Sequence, residues 1–269
     1  MMLRDRVADE LEGLLRSSGL DSPWSDRTDA STRWLHGDGT LYDIDRMHLH
    51  DELVRQRRAA SPAAARGHQL AAVVTAGPPG AGKTTVVARD PALARFCGVD
   101  ADDFKDALLV DAQLQGHLER WTSMTLCDGR PVAPRELAGF VHAESTAVAD
   151  AMREACLVDG EDILIHGTLS STDYVDQLLA ELDEFGYGRL VIYDVEVPAG
   201  QAVERALQRW WSVRTSGRDA LGGRFLPPDA IRGYYPSGAG RSKTAANAVA
   251  LRDRAQDLGW NVELKVVSP

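Results

Sequence analysis

The stretch AGPPGAGKTT, residues 76–85, fits the pattern G-x-x-x-x-G-K-[ST], with Gly77, Gly82, Lys83 and Thr84 at its defining positions. Small residues let a backbone curl until several N–H groups converge on one anion. Gly77, Pro78, Gly80, Ala81, Gly82, Lys83, Thr84 and Thr85 are therefore expected to cradle the phosphates of ATP or another nucleoside triphosphate. Lys83 would reach the outer phosphates and the Thr84 hydroxyl would ligate Mg²⁺. The apolar run LAAVVTA ahead of the loop and KTTVVAR behind it supply the strand and helix such a loop needs. A chance glycine turn is the weaker reading.

Two further sets of residues carry chemistry. VDADDF, residues 99–104, puts Asp100 and Asp102 two apart after a short apolar run. If the chain stays extended, both face one way and Asp103 the other. A carboxylate in that place can accept the proton of an attacking hydroxyl; the alternative is that these acids cap the helix beginning DFKDALL. The second set is Arg205, Arg209, Arg214, Arg218 and Arg224, in a helix followed by the glycine-bearing TSGRDALGGRF. Arginines on such a segment can close over a triphosphate and neutralise charge as it develops, and two of the five are expected to touch phosphate.

The elements that must position these groups read as an α/β protein. From residue 70 onwards short apolar runs alternate with helical segments, the signature of a parallel sheet covered by helices. Strands are expected at LAAVVTA, FCGV (96–99), DILIHGT (162–168), RLVIYDVEV (189–197) and the closing NVELKVV, with helices near 136–157, 173–185, 199–214 and 241–258. The first twenty residues form an amphipathic helix ending near Gly19, DSPWSDRTDASTRW is loop, a second helix covers about 43–59, and SPAAARGHQ is a linker. The chain thus divides into a helical extension, residues 1–65, and a core domain, residues 66–269.

Composition narrows the partners. The 269 residues are 44% apolar and 26% charged, with a net charge of −10, which disfavours a nucleic-acid surface. No signal peptide and no apolar run near eighteen residues is visible, so no membrane partner is expected. Cys97, Cys127 and Cys156 have neither metal-site spacing nor an even count, which points to a reducing cytoplasm without disulfides. His36, His48, His50 and His68 form no metal constellation and read as surface residues. Of the adjacent Trp210 and Trp211, about 100° apart on a helix, at most one shares the side of Arg209 and the other packs in the core.

Together GPPGAGKTT, VDADDFK, HAES, ILIHGTLSSTD, GYGRLVIYDVEVP and the arginines of ERALQRW and GGRFLPP resemble the zeta toxin family, in family order over about residues 70–235. The resemblance implies a P-loop kinase fold, a doubly wound parallel sheet flanked by helices, that phosphorylates UDP-N-acetylglucosamine on its amino sugar. It implies that Asp102 is the catalytic base, Lys83 the phosphate lysine, and Arg209 and Arg224 the clamp on the γ-phosphate. Asp100 and Thr168 become acceptor contacts, and the family's sugar-binding acid falls on Glu144 by local motif or on Asp150 by ungapped alignment. His166 and Ser170 depart from the family pattern, so the acceptor can instead be NAD, a nucleoside or an antibiotic hydroxyl. A third alternative is a nucleotide-dependent binding or regulatory module. Such systems pair the toxin with an antitoxin protein, and residues 1–65 either restrain the kinase in cis or extend its core.

Overall fold

The computed structural model describes residues 2–20, 35–36, 41–61, 69–237 and 240–268. The loop expected over 21–34 lies outside them, as do most of the linker and, with it, the boundary at residue 65. In chain order the elements are α1 (Leu3–Ser17), β1 (Leu35–His36), β2 (Leu41–Tyr42), α2 (Ile44–Ala60), β3 (Leu70–Ala76), α3 (Lys83–Ala88) and β4 (Cys97–Val99). Then come α4 (Asp102–Leu114), α5 (Glu119–Thr122), α6 (His142–Val158), β5 (Ile163–Ile165), α7 (Thr172–Glu184) and β6 (Tyr187–Val195). The chain ends with α8 (Ala199–Ser216), α9 (Pro228–Arg232), α10 (Lys243–Asp257) and β7 (Asn261–Val267). All five strands expected from residue 70 onwards are present.

Two compact units emerge, each assembled from three stretches of chain. One comprises Met1–Val54, Ala101–Val148 and Ala206–Ala230; the other comprises Arg55–Asp100, Ala149–Arg205 and Ile231–Pro269. The second holds a five-stranded sheet in the order β4-β5-β3-β6-β7, with every neighbouring pair parallel. β3 lies at its centre, and Ala71–Ala76 are all buried. A strand covered on both faces needs a continuous apolar run rather than an alternating one, and LAAVVTA supplies it. α7 buries Val175, Leu178, Leu179 and Leu182, a helical-period stripe that faces the core.

Among the described residues, the named elements of the first unit are helical apart from the antiparallel pair β1 and β2. α1 buries Val7, Ala8, Leu11 and Leu15, and ends where Ser18 accepts the indole N–H of Trp121 at 2.8 Å. A Cβ on Gly139 would stand 2.6 Å from the Leu20 carbonyl oxygen, so the chain after α1 and the 134–141 segment pack backbone against backbone. That segment is 3₁₀ (Pro134–Val141) rather than the start of the α-helix expected at 136, with a break at Leu137.

The cysteine reading is corrected. Cys97 on β4 and Cys156 on α6 form a disulfide with Cα atoms 6.7 Å apart, and Cys127 is the free, exposed thiol. The sequence hides this pair because its members are 59 residues apart and become neighbours only when α6 packs on β4. Closing a loop of that length removes chain entropy worth about 4 kcal/mol from the unfolded state. Denatured without reductant, the chain should titrate for the single thiol of Cys127, and after reduction for all three. The reduced form should melt at lower temperature in calorimetry; three thiols before reduction would show that the link does not form.

Candidate active site

In the sheet-bearing unit, β3 runs straight into the glycine-rich loop. Gly77, Gly80 and Gly82 all have positive φ, and two of them also lack room for a side chain. A Cβ on Gly77 would stand 2.3 Å from the Val195 oxygen, and one on Gly80 2.2 Å from the Ala202 oxygen. Gly77 donates its N–H to the Thr168 oxygen at 3.2 Å, while Thr75 and Gly167 exchange two hydrogen bonds of 3.1 and 3.0 Å. The stretch after β5, which carries Thr168, is thereby tied to the start of the loop. Lys83 opens α3 and donates to the carbonyls of Gly77 at 2.7 Å and Pro78 at 3.2 Å. Thr84 and Thr85 are exposed. The Thr84 hydroxyl is a hard oxygen of the kind Mg²⁺ accepts from a protein that supplies one or two ligands, so the residue suits the metal expected there.

The resemblance implies Arg209 and Arg224 as the clamp, and the structure adds Arg205. Its guanidinium donates to the Ala81 carbonyl at 3.3 Å, which places it on the loop. Arg209 sits one helical turn further along α8, on the exposed surface. Spacing alone could not choose between two arginines four residues apart on one helix, since both share a face.

The helical unit holds the acid. β4 ends at Val99 and α4 begins at Asp102, so the extended alternation expected for Asp100 and Asp102 does not occur. The chain has already turned, because carboxylates at the first helical positions complement the exposed N–H groups and the dipole there. Asp102 pairs with Lys105 at 2.9 Å and with Arg224. Burial pushes its carboxyl up, but the Lys105 ammonium and the Arg224 guanidinium together outweigh that and hold it well below the usual carboxylate range. His142, at the start of α6, is driven the other way from protonation: burial first, then Lys105 and Arg224, lower it to about 4 despite Asp102. At neutral pH this cluster therefore contains an ionised carboxylate, two cations and a neutral imidazole.

Glu144 is buried, 4% exposed, and committed. Arg46 of α2 grips it with Nε and Nη2, the latter at 2.8 Å, and the third nitrogen of Arg46 pairs with Asp111. His50 meets the same carboxylate at 2.7 Å and packs edge-on against Tyr42. His50 is thus a buried member of an ion-pair network, not the surface residue expected. Asp150, by contrast, is exposed and pairs with Arg153 at 2.5 Å. Trp210 is the packed member of its pair, 1% exposed, with its N–H on Glu136 at 2.6 Å.

An α/β sheet of this order with a glycine-rich loop after its central strand defines a P-loop kinase-type fold. Residues 127–256, just under half of the chain, match the family model described as zeta toxin. The glycine-rich loop and Asp102 lie upstream of it. No curated protein matches the chain. Among solved structures, one from the PezAT chromosomal toxin–antitoxin system of Streptococcus pneumoniae superposes with a TM-score of 0.56 at 15% identity, over 84% of this chain and 79% of that one. The AvrRxo1-ORF1:AvrRxo1-ORF2 structure with sulphate ions gives 0.59 at 18% identity, over 86% and 68%. The same pair with ATP gives 0.58, again at 18% identity and over the same shares. At these identities the likeness is one of fold.

Two outcomes follow from the charges. Arg46→Ala leaves the Glu144 carboxylate buried without its main counter-charge, and denaturant unfolding should show a loss of about 3–5 kcal/mol; a loss under about 1 kcal/mol would mean that the pair contributes little. His142 binds its proton more weakly folded than unfolded, so the unfolded state takes up more protons between pH 6.5 and about 4. Its contribution is intact above pH 6.5 and is lost on acidification through that window, by at most about 3 kcal/mol. His142→Gln should flatten the dependence in pH-resolved melting.

Proposed function

We propose that the protein is an ATP- and Mg²⁺-dependent phosphotransferase of the zeta toxin type, acting in the cytoplasm on a hydroxyl of a nucleotide-sugar, with UDP-N-acetylglucosamine as first candidate. The observation that carries this is the carboxylate of Asp102 flanked by Lys105 and Arg224, in a chain whose β3 runs into a loop of the pattern G-x-x-x-x-G-K-[ST]. A regulatory nucleotide binder requires the loop but not the acid and arginine. The ATP-bound AvrRxo1 pair, alike in fold, supports the choice of donor.

In this reading the loop N–H groups and Lys83 hold the phosphates, Thr84 holds the metal, and Arg205 and Arg224 offset charge on the transferring group. The nucleotide, when bound, supplies the phosphoryl group. Asp102 orients the acceptor hydroxyl and takes its proton late. Its suppressed proton affinity suits a loose transition state, in which the attacking oxygen acquires little charge before the phosphoryl group has left its donor.

A second reading of the acceptor has a specific observation behind it. The resemblance puts the sugar-binding acid at Glu144 or Asp150, yet Arg46 and His50 occupy the Glu144 carboxylate and Arg153 pairs with Asp150. A different acceptor, such as NAD, a nucleoside or an antibiotic hydroxyl, is consistent with that commitment. An antitoxin partner belongs to this proposal as well, by analogy of fold with the PezAT system.

Purified protein with ATP and Mg²⁺ should add one phosphate, read by mass spectrometry, to one member of a panel holding UDP-N-acetylglucosamine, NAD, nucleosides and antibiotics. Asp102→Asn should lower turnover about 10²–10⁴-fold with nucleotide affinity nearly unchanged, and Lys83→Ala should weaken ATP binding itself. Transfer at the wild-type rate by the Asp102 variant would remove it from the mechanism. Binding of ATP with no transfer to any acceptor would favour a binding module.

A further inference from the structure

Arg135 has no part in the chemistry described so far, yet it joins the two stretches that present Asp102 and Arg224. Its Nε and Nη2 form a two-pronged bond to the carboxylate of Asp106, at 2.8 and 2.7 Å. Asp106 lies four residues beyond Asp102 on α4, one turn along the same face. The remaining nitrogen, Nη1, donates to Asp219 at 2.5 Å and to the Gly222 carbonyl at 2.8 Å. The backbone N–H of Arg135 donates to the Leu221 oxygen at 2.8 Å. One residue thus holds both the helix of the acid and the segment 219–222, two residues short of Arg224.

That segment has little freedom left. Gly222 has φ +74°, and a Cβ there would stand 2.4 Å from the Ala133 side chain; one on Gly223 would stand 2.4 Å from the Trp210 oxygen. Beyond Arg224, Phe225 packs edge-on against Trp210 with ring centres 4.8 Å apart. Arg224 therefore projects from a strip fixed on one side by Arg135 and on the other by the tryptophan.

We propose that Arg135 is the positioning residue of this protein: its guanidinium fork sets the spacing between the Arg224 and Asp102 side chains by tying Asp106 to Asp219 and Gly222. The inference rests on the kinase reading for its catalytic consequence, though not for its geometry. Ion pairs with partners as exposed as Asp106 and Asp219 add little to stability. A displacement of about 1 Å between groups acting on one reacting atom, in contrast, costs on the order of 10²-fold in rate. Lysine keeps the charge at 135 but has no planar fork with which to hold two carboxylates and a carbonyl at once.

The test is Arg135→Lys, with Asp219→Asn as a second variant that removes a single arm at an exposed position. For the acceptor that takes phosphate in the wild type, kcat should fall about 30–100-fold in Arg135→Lys and less in Asp219→Asn, with KM for ATP within about twofold of wild type. Carboxyl-carbon NMR gives a readout independent of catalysis: the titration of Asp102 should move up towards the ordinary carboxylate range in Arg135→Lys, and also in an Arg224→Gln control. A helical circular dichroism spectrum matching wild type confirms that each variant is folded. If Asp102 titrates in folded Arg135→Lys as in wild type, or if kcat is unchanged, the positioning role is wrong. If wild type transfers no phosphate to any acceptor, the kinase reading fails while the NMR titration still decides Arg135.

Discussion

The sheet-bearing unit depends on one close approach, that of the backbone at the end of β3 to the backbone after β6. A Cβ on Gly77 would stand 2.3 Å from the Val195 carbonyl oxygen, and the Gly77 N–H is taken by Thr168. Central burial of β3 requires small and β-branched apolar residues on both faces, and these let β5 and β6 pair along it in register. The turn at Gly77 and Gly80 then follows, because any larger residue would push the loop off β6 and α8. The curled loop, the folded-back Lys83 and the nearby Arg205 all depend on this packing.

Beside its apolar core, the helical unit is crossed by arginines that each bridge two acids. Arg46 bridges Glu144 and Asp111, Arg135 bridges Asp106 and Asp219, and Arg214 is buried against Asp128 and Glu136. Each of these guanidinium groups spans two carboxylates from different stretches of chain, a task suited to a planar group with five donors and poorly suited to an ammonium. The arrangement explains why a chain with a net charge of −10 can pack many acids close together. It also explains the place of α2: the helix brings Arg46 and His50 to a carboxylate that would otherwise be buried without a counter-charge.

Asp102 shows how such a network tunes one group. Its place at the start of α4 follows from local preference, but its proton affinity is set by Lys105 one turn on and by Arg224 more than a hundred residues later. His142 answers the same field with the opposite sign, since cations that stabilise a carboxylate oppose an imidazolium. Neither shift can be assigned from composition or from the neighbours in sequence.

What the sequence determined by itself was whatever short-range physics controls. The apolar runs marked all five strands of the sheet, helical spacing marked α1, α2, α7, α8 and α10 to within a few residues, and the glycine-rich pattern located the turn between β3 and α3. The tertiary structure alone decided which distant residues meet. It paired Cys97 with Cys156, buried His50 and Glu144 against Arg46, set Arg205 against the Ala81 carbonyl of the loop, and turned the chain into helix before Asp102 could face the same way as Asp100. The reason is common to all of these. Propensity and periodicity act over a few residues, whereas ion pairs, disulfides and close backbone contacts depend on distances in space that only the assembled fold defines.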